Sequence, residues 1–290
     1  MSDAAREGGE GWGMRRAVTA VLVVGLLGAG ALGHGVAGEM AAPSAASGWD
    51  VHLLDQVKPP APAEQARGER LLTESVRLLR DTDSVRMAAD IRSGGRRVRF
   101  DLLMDRAGNC VGTLDGGPGM RGELIVVAGA EPTAYMKFSD ASLAELSAMA
   151  EQRGPAVAER MRGNIARARG KYVQAPPGPK GAQAVAGSCR IGRFTASMEG
   201  ETGGTRALPS VRRAGHRMVP LVPPSDDKSD SGTVYVEADG KPYMRSMEGT
   251  LDGEPVSVEF SDYGTPVHAQ RPGPAQIADI QRDDGSLFAA

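Results

Sequence analysis

Two cysteines, four histidines and two short carboxylate clusters are the residues of this chain that would carry nucleophilic, redox or metal chemistry. Cys110 and Cys189 stand 79 residues apart. Neither has a neighbouring histidine or a CxxC partner, so a thiolate nucleophile or a redox dithiol has no second group to work with. His34, His52, His216 and His268 are dispersed, whereas a zinc site draws its ligands from short, regular spacings. They read as surface or linker residues. Asp226-Asp227-Asp230 and Asp283-Asp284 sit among serine and glycine. Solvated loop charge is the simpler reading there than a calcium loop, which spaces its oxygen ligands around a turn. No GxSxG elbow, HExxH, P-loop or helix-opening GxGxxG occurs. The expectation is a non-enzyme, with no catalytic residue, no metal ligand and no cofactor.

Two other patterns bear on binding. From Arg153 to Lys171 the chain carries Arg153, Arg160, Arg162, Arg167, Arg169 and Lys171 against Glu159 alone. Val157, Met161, Ile165 and Ala168 form an apolar stripe in the same segment. A basic amphipathic helix rests either on an anionic membrane surface or as a solvated face over a sheet. Arg160, Arg162, Arg167 and Arg169 are the headgroup candidates. The chain also has 13 methionines against 5 phenylalanines. Methionine is unbranched and polarizable, so it suits irregular or adaptable apolar walls as well as ordinary cores.

The N-terminus decides where these groups work. Ala17 to Gly38 is uncharged over 22 residues, with Arg15 and Arg16 before it and Glu39 after it. A bilayer-spanning helix needs about 20 apolar residues, and the arginine pair should stay cytoplasmic. The run is either the apolar core of a cleaved secretory signal or an uncleaved anchor, weakened by six glycines and His34. Either way residues 1–16 are the n-region, 17–38 the export segment, and the body is extracytoplasmic. In such a compartment two cysteines generally pair, so a Cys110–Cys189 disulfide is expected; two separate buried thiols are the alternative.

The elements that must position these groups follow from periodicity. Residues 39–62 form a Pro/Ala-rich linker ending Lys58-Pro59-Pro60-Ala61-Pro62. Residues 63–80 read as a helix, with Leu72, Val76 and Leu79 on one face. Period-two alternation then begins. Val85, Met87, Ala89 and Ile91 face one way, as do Val98, Phe100, Leu102 and Met104, with Ser93-Gly94-Gly95 as the turn between them. Further strands are expected at 110–114, 123–128 and 134–138, then helices over 140–153 (Asp140 as N-cap), 155–169 and 182–198. Strands resume at 218–222, 233–237, 242–249 and 256–260, and a short helix is expected over 274–281. Hairpins separated by a helical block indicate α+β with an antiparallel sheet.

Composition agrees with a folded body: 41% hydrophobic, 24% charged and 4% aromatic residues. With 34 basic and 36 acidic residues the net charge is −2. That balance argues against nucleic acid as a partner, since phosphate neutralisation needs surplus lysine and arginine.

A series of small signatures runs through this order. It includes Leu72-Thr73-Glu74-Ser75-Val76-Arg77, Phe100-Asp101-Leu102 followed by Asp105 and Gly108-Asn109-Cys110-Val111-Gly112, and Glu123-Leu124-Ile125 leading to Tyr135-Met136-Lys137. It continues with Gly170-Lys171-Tyr172-Val173, Thr233-Val234-Tyr235-Val236, Gly240-Lys241-Pro242-Tyr243 and Val258-Glu259-Phe260-Ser261-Asp262-Tyr263-Gly264. In this sequence of motifs the chain resembles the actinobacterial exported lipoproteins of the LolA/LppX/LprG-like class, over roughly residues 63–280. The resemblance implies a half-barrel: a curved antiparallel sheet with helices on its concave side, spanning 63–282 ahead of a flexible tail at 283–290. It also implies an apolar cavity for a lipid or lipidated molecule and no catalytic residues. The strand pattern supplies wall candidates: Val85, Met87, Phe100, Leu102, Met104, Leu124, Val126, Val234, Val236, Val258 and Phe260. One departure stands out. The lipobox cysteine of such lipoproteins is missing from Leu32-Gly33-His34-Gly35-Val36-Ala37-Gly38, so an acyl anchor is not expected.

Overall fold

The computed structural model describes residues 62–93, 95–196, 198–199, 202–225, 231–251, 253–280 and 287. The export segment at 17–38, the linker up to residue 61, the clusters Asp226-Asp227-Asp230 and Asp283-Asp284, and the tail beyond residue 287 lie outside the described residues.

The chain opens with α1 (Pro62–Asp81), followed by five strands: β1 (Ser84–Ser93), β2 (Arg96–Asp105), β3 (Cys110–Asp115), β4 (Arg121–Val127) and β5 (Thr133–Phe138). A helical block follows: α2 (Asp140–Gln152), α3 (Pro155–Ala168), the two-residue strand β6 (Val173–Gln174), α4 (Ala182–Ser188) and α5 (Ile191–Ala196). The second run of strands is β7 (Arg206–Ala207), β8 (Val211–Arg213), β9 (His216–Val222), β10 (Ser231–Glu237), β11 (Met244–Leu251) and β12 (Glu254–Ser261). All twelve strands join one sheet in the order β6-β5-β4-β3-β2-β1-β12-β11-β10-β9-β7, with β8 paired to β9. Every strand pairing is antiparallel, and β6 does not meet β7, so the sheet is open. The two runs of strands meet where β1 pairs with β12, which stitches residues 86–91 to 256–261. The architecture is α+β, as the order of the sequence pattern requires.

Alternation sorts the sheet into two faces. On the inner face one cross-strand row runs Leu221–Val234–Met247–Val258–Ala89–Phe100–Leu114–Gly122–Phe138 across nine strands. A parallel row runs Phe260–Met87–Leu102–Gly112–Leu124–Met136–Val173. Two glycines in these rows replace side chains that have no room. A Cβ on Gly112 would lie 1.9 Å from the Asp101 carbonyl oxygen, and one on Gly122 would lie 2.1 Å from that of Lys137. Glycine within a strand marks this kind of close backbone approach.

Several boundaries differ from the periodicity. The expected helix over 182–198 is two helices, broken between Ser188 and Ile191, where Cys189 turns to meet β3. The N-cap of α2 is Ser139 rather than Asp140; its extended backbone continues β5, and its hydroxyl accepts the Ser142 amide. The expected closing helix is a single 3-10 turn, Pro274–Gln276, because Ile277 returns to extended backbone beside Tyr172. The polar, Gly-rich stretch 199–213, where the periodicity places no element, holds β7 and β8. The strand expected from 242 starts at Met244.

Candidate functional site

The eleven wall candidates all lie on the inner face and all belong to one buried cluster. Val85, Met104 and Val126 share a cross-strand row with Cys110. Met87, Leu102, Leu124 and Phe260 share the second row, and Phe100, Val234 and Val258 the nine-strand row. Val236 lies opposite Val219 and Met244, just past a bulge at Arg245 of β11. Over this face lie Leu72, Val76 and Leu79 of α1, Ala182, Val185 and Ala186 of α4, and Ile191 and Phe194 of α5. The Phe194 ring meets Phe260 at 5.5 Å between centroids, tilted by 52°.

One space between sheet and cover, with Met87 and Met104 below and Gly187, Ser188, Arg190 and Phe194 above, measures about 10 Å³, room for about one water. Cys110 and Cys189 are joined by a disulfide, with Cα atoms 5.8 Å apart and both residues buried. This bond fastens the α4–α5 junction to the row of Val85, Met104 and Val126.

A second cluster packs α2 and α3 beside β5 through Met136, Phe138, Leu143, Leu146, Met161 and Ile165. Arg160, Arg162, Arg167 and Arg169 lie on the exposed side of α3 and its C-cap. A groove of about 470 Å³ runs between the two helices, with Ala144, Ser147, Ala148 and Ala166 along it and Arg162 and Arg169 at its rim.

The outer face holds a polar groove of about 800 Å³ that the wall candidates do not foreshadow. Its side chains come from the alternate positions of the same strands, along the row Glu259–Ala88–Asp101–Thr113–Glu123–Lys137. The signal for it was present as the polar half of each alternating strand. Most of its charges are satisfied locally. Arg86 donates to Asp101 at 2.9 Å and to Asp262 at 2.6 Å, Arg99 to Asp115 at 2.7 Å, and Lys137 to Glu123 at 3.2 Å. The Tyr172 hydroxyl donates to Glu123 at 2.8 Å. That bond, with the Lys137 ammonium, holds the Glu123 carboxyl below its usual range. Burial, and then the Glu123 charge, push the Tyr172 phenol up to about 12. The arrangement is a set of ion-paired sheet side chains, not an acid–base pair aimed at a substrate.

Of the four histidines, His216 lies 3.2 Å from Glu237 in a half-exposed pair, and His268 is exposed; His34 and His52 lie outside the described residues. Among the described residues no group of three or more His, Cys, Asp or Glu is placed to hold a metal ion. Among them, too, no helix is long and apolar enough to cross a membrane.

No family model matches the chain, and no curated protein matches it. Solved structures do resemble it. LprF from Mycobacterium bovis is 12% identical with a TM-score of 0.48, covering 74% of this chain and 99% of its own. The lipoprotein LppX of Mycobacterium tuberculosis is 12% identical with a TM-score of 0.38, covering 71% and 99%. A putative outer membrane lipoprotein-sorting protein domain from Vibrio parahaemolyticus is 12% identical with a TM-score of 0.22, covering 70% and 95%. These structures are of the LolA/LppX/LprG-like class that the sequence motifs resemble.

Proposed function

We propose that this chain is an exported, envelope-associated protein that holds a lipid or lipidated molecule between the inner face of its sheet and α1, α4 and α5, as a carrier or chaperone. The supporting observation is the cover over Met87 and Met104. It consists of helices of seven and six residues, the first mostly alanine and glycine, pinned to the sheet by one disulfide. Helices this short have almost no stability of their own, so displacing them loses packing and little else. Beneath them lies a continuous apolar field in which methionines can re-pack around a guest. Each CH₂ of a buried acyl chain returns about 0.8 kcal/mol. The eleven residues from Val85 to Phe260 are its walls in this reading. The uncharged run at 17–38 and the disulfide support an extracytoplasmic location, with the chain either anchored by that run or secreted after its cleavage.

Native mass spectrometry of the full chain tests this. A lipid that copurifies, leaves on denaturation and is taken up again after delipidation supports the carrier. A clean apo mass with no uptake refutes it. The packed interior, with one space of about 10 Å³, favours a second reading: a non-enzymatic envelope scaffold or interaction module with a filled core. That reading predicts the clean apo mass.

A further inference from the structure

We propose that the exposed side of α3 is a docking face for an anionic lipid bilayer. The proposal concerns the outside of the molecule and holds whatever the interior contains; it uses only the extracytoplasmic location.

The placement of charge on this helix carries the argument. At about 100° per residue, the buried stripe of Ala158, Met161, Asn164, Ile165 and Ala168 occupies one side of α3. Arg160 and Arg167, seven residues apart, share one flank of the exposed side. Arg162 and the C-cap Arg169, also seven apart, share the other. Between the flanks the crest holds Ala156, Gly163 and Ala166, with the exposed Glu159 among them. Two basic ridges thus set four guanidinium groups against one crest carboxylate on the exposed side.

These cations are also under-compensated. Arg162 pairs with Glu159, and Arg169 reaches Asp140 only at 3.6 Å. Arg167 bonds the neutral amide of Asn164 at 3.4 Å. Arg160, Arg167 and Lys171 make no ion pair among the described residues. Elsewhere, Arg86, Arg97, Arg99 and Arg245 are each tied to a carboxylate of a sheet strand. A phosphate surface supplies the missing counter-charge as a plane of many sites, and guanidinium binds phosphate through paired donors. Positive charge near an anionic leaflet changes partitioning about five-fold per residue. The groove beside Arg162 and Arg169, walled by Ala144, Ala148 and Ala166 with Glu151 also lining it, gives the glycerol region of a headgroup an apolar contact next to that charge.

The test places an environment-sensitive fluorophore on Ala166→Cys in the full chain, whose native cysteines are already paired. The protein is titrated with vesicles of equal phosphatidylglycerol and phosphatidylcholine, and with pure phosphatidylcholine. The expected result is a blue shift on the anionic vesicles only, lost near 1 M salt, where the screening length falls to about 3 Å. Arg160→Gln/Arg167→Gln should raise the lipid concentration at half-response by about 25-fold. A label at Lys241→Cys, in the β10–β11 turn, should stay silent. An unchanged midpoint in the double variant overturns the proposal, as does an equal response on zwitterionic vesicles, which the 17–38 run alone would produce. A label at residue 166 that stays silent on anionic vesicles, as expected of a face built for an acidic protein, overturns it too.

Discussion

Cutting the Cys110–Cys189 bond measures how far the short helices depend on the sheet for their place. The bond closes 79 residues, a span that takes in β3, β4, β5, α2, α3, β6 and α4. Chain-entropy arithmetic for a loop of that length gives about 4.5 kcal/mol of stability, acting through the unfolded chain. In Cys110→Ala/Cys189→Ala the buried sulfurs are also lost from the core, which changes stability in the same direction. With a urea dependence of about 2.5 kcal/mol per molar for a domain of this size, the unfolding midpoint should fall by about 2 M. The slope should steepen, because an uncrosslinked chain exposes more surface when it unfolds. Far-UV circular dichroism is the suitable probe, since Trp12 and Trp49 lie outside the described residues. A midpoint and slope matching the parent would refute the reasoning: the loop would then be constrained by something other than the bond. Loss of helix signal well before loss of sheet signal would show α4 and α5 detaching on their own, the motion the carrier reading needs.

Further outcomes follow from the geometry. Phe194→Ala removes the ring that packs on Phe260 and should cost about 3–5 kcal/mol; in urea melts the loss should come with stronger binding of an apolar dye, since the void opens beside Met87 and Met104. Gly122→Ala, whose Cβ would meet the Lys137 carbonyl oxygen at 2.1 Å, should abolish soluble protein. Gly240→Ala, with open space around it and only a positive φ of 77° to oppose it, should cost about 1 kcal/mol in the same melts. Stability should fall at both ends of the pH range. Glu123 and Asp90 are held below their usual values by Tyr172 and Arg97 respectively, so they contribute stability above pH 4 that is lost on further acidification. Tyr172 is raised to about 12, so its contribution is complete below pH 10 and lost between 10 and 12. Tyr172→Phe should flatten the alkaline limb in a thermal-shift series.

Much of the fold was legible because a half-buried antiparallel sheet writes itself into sequence as alternation. Every wall candidate from Val85 to Phe260 falls on the buried face, since a one-residue slip would have turned each of them to solvent. The elements that escaped were too short to show a period. The strands Arg206–Ala207 and Val211–Arg213 are two and three residues long, and the break at Cys189 is marked only by Gly187 and Ser188 ahead of it, residues that a helix also tolerates at modest cost. The size of the interior was not legible, because alternation says which side chains face inward and nothing of how closely the opposing helices approach. The outer groove was not legible, because its charges pair across strands that only register brings together.

The open edges of the sheet have a consequence for how this protein meets its neighbours. One edge ends in Val173–Gln174, where the C-terminal segment pairs alongside through Tyr172 and Gln276–Ala278. The other ends in Arg206–Ala207, against which α1 presses so closely that a Cβ on Gly68 would lie 2.4 Å from the Thr205 carbonyl oxygen. Neither border offers a long free ladder to a passing strand. Such a body resists polymerising through its backbone, and a partner must recognise it by side-chain chemistry on its faces.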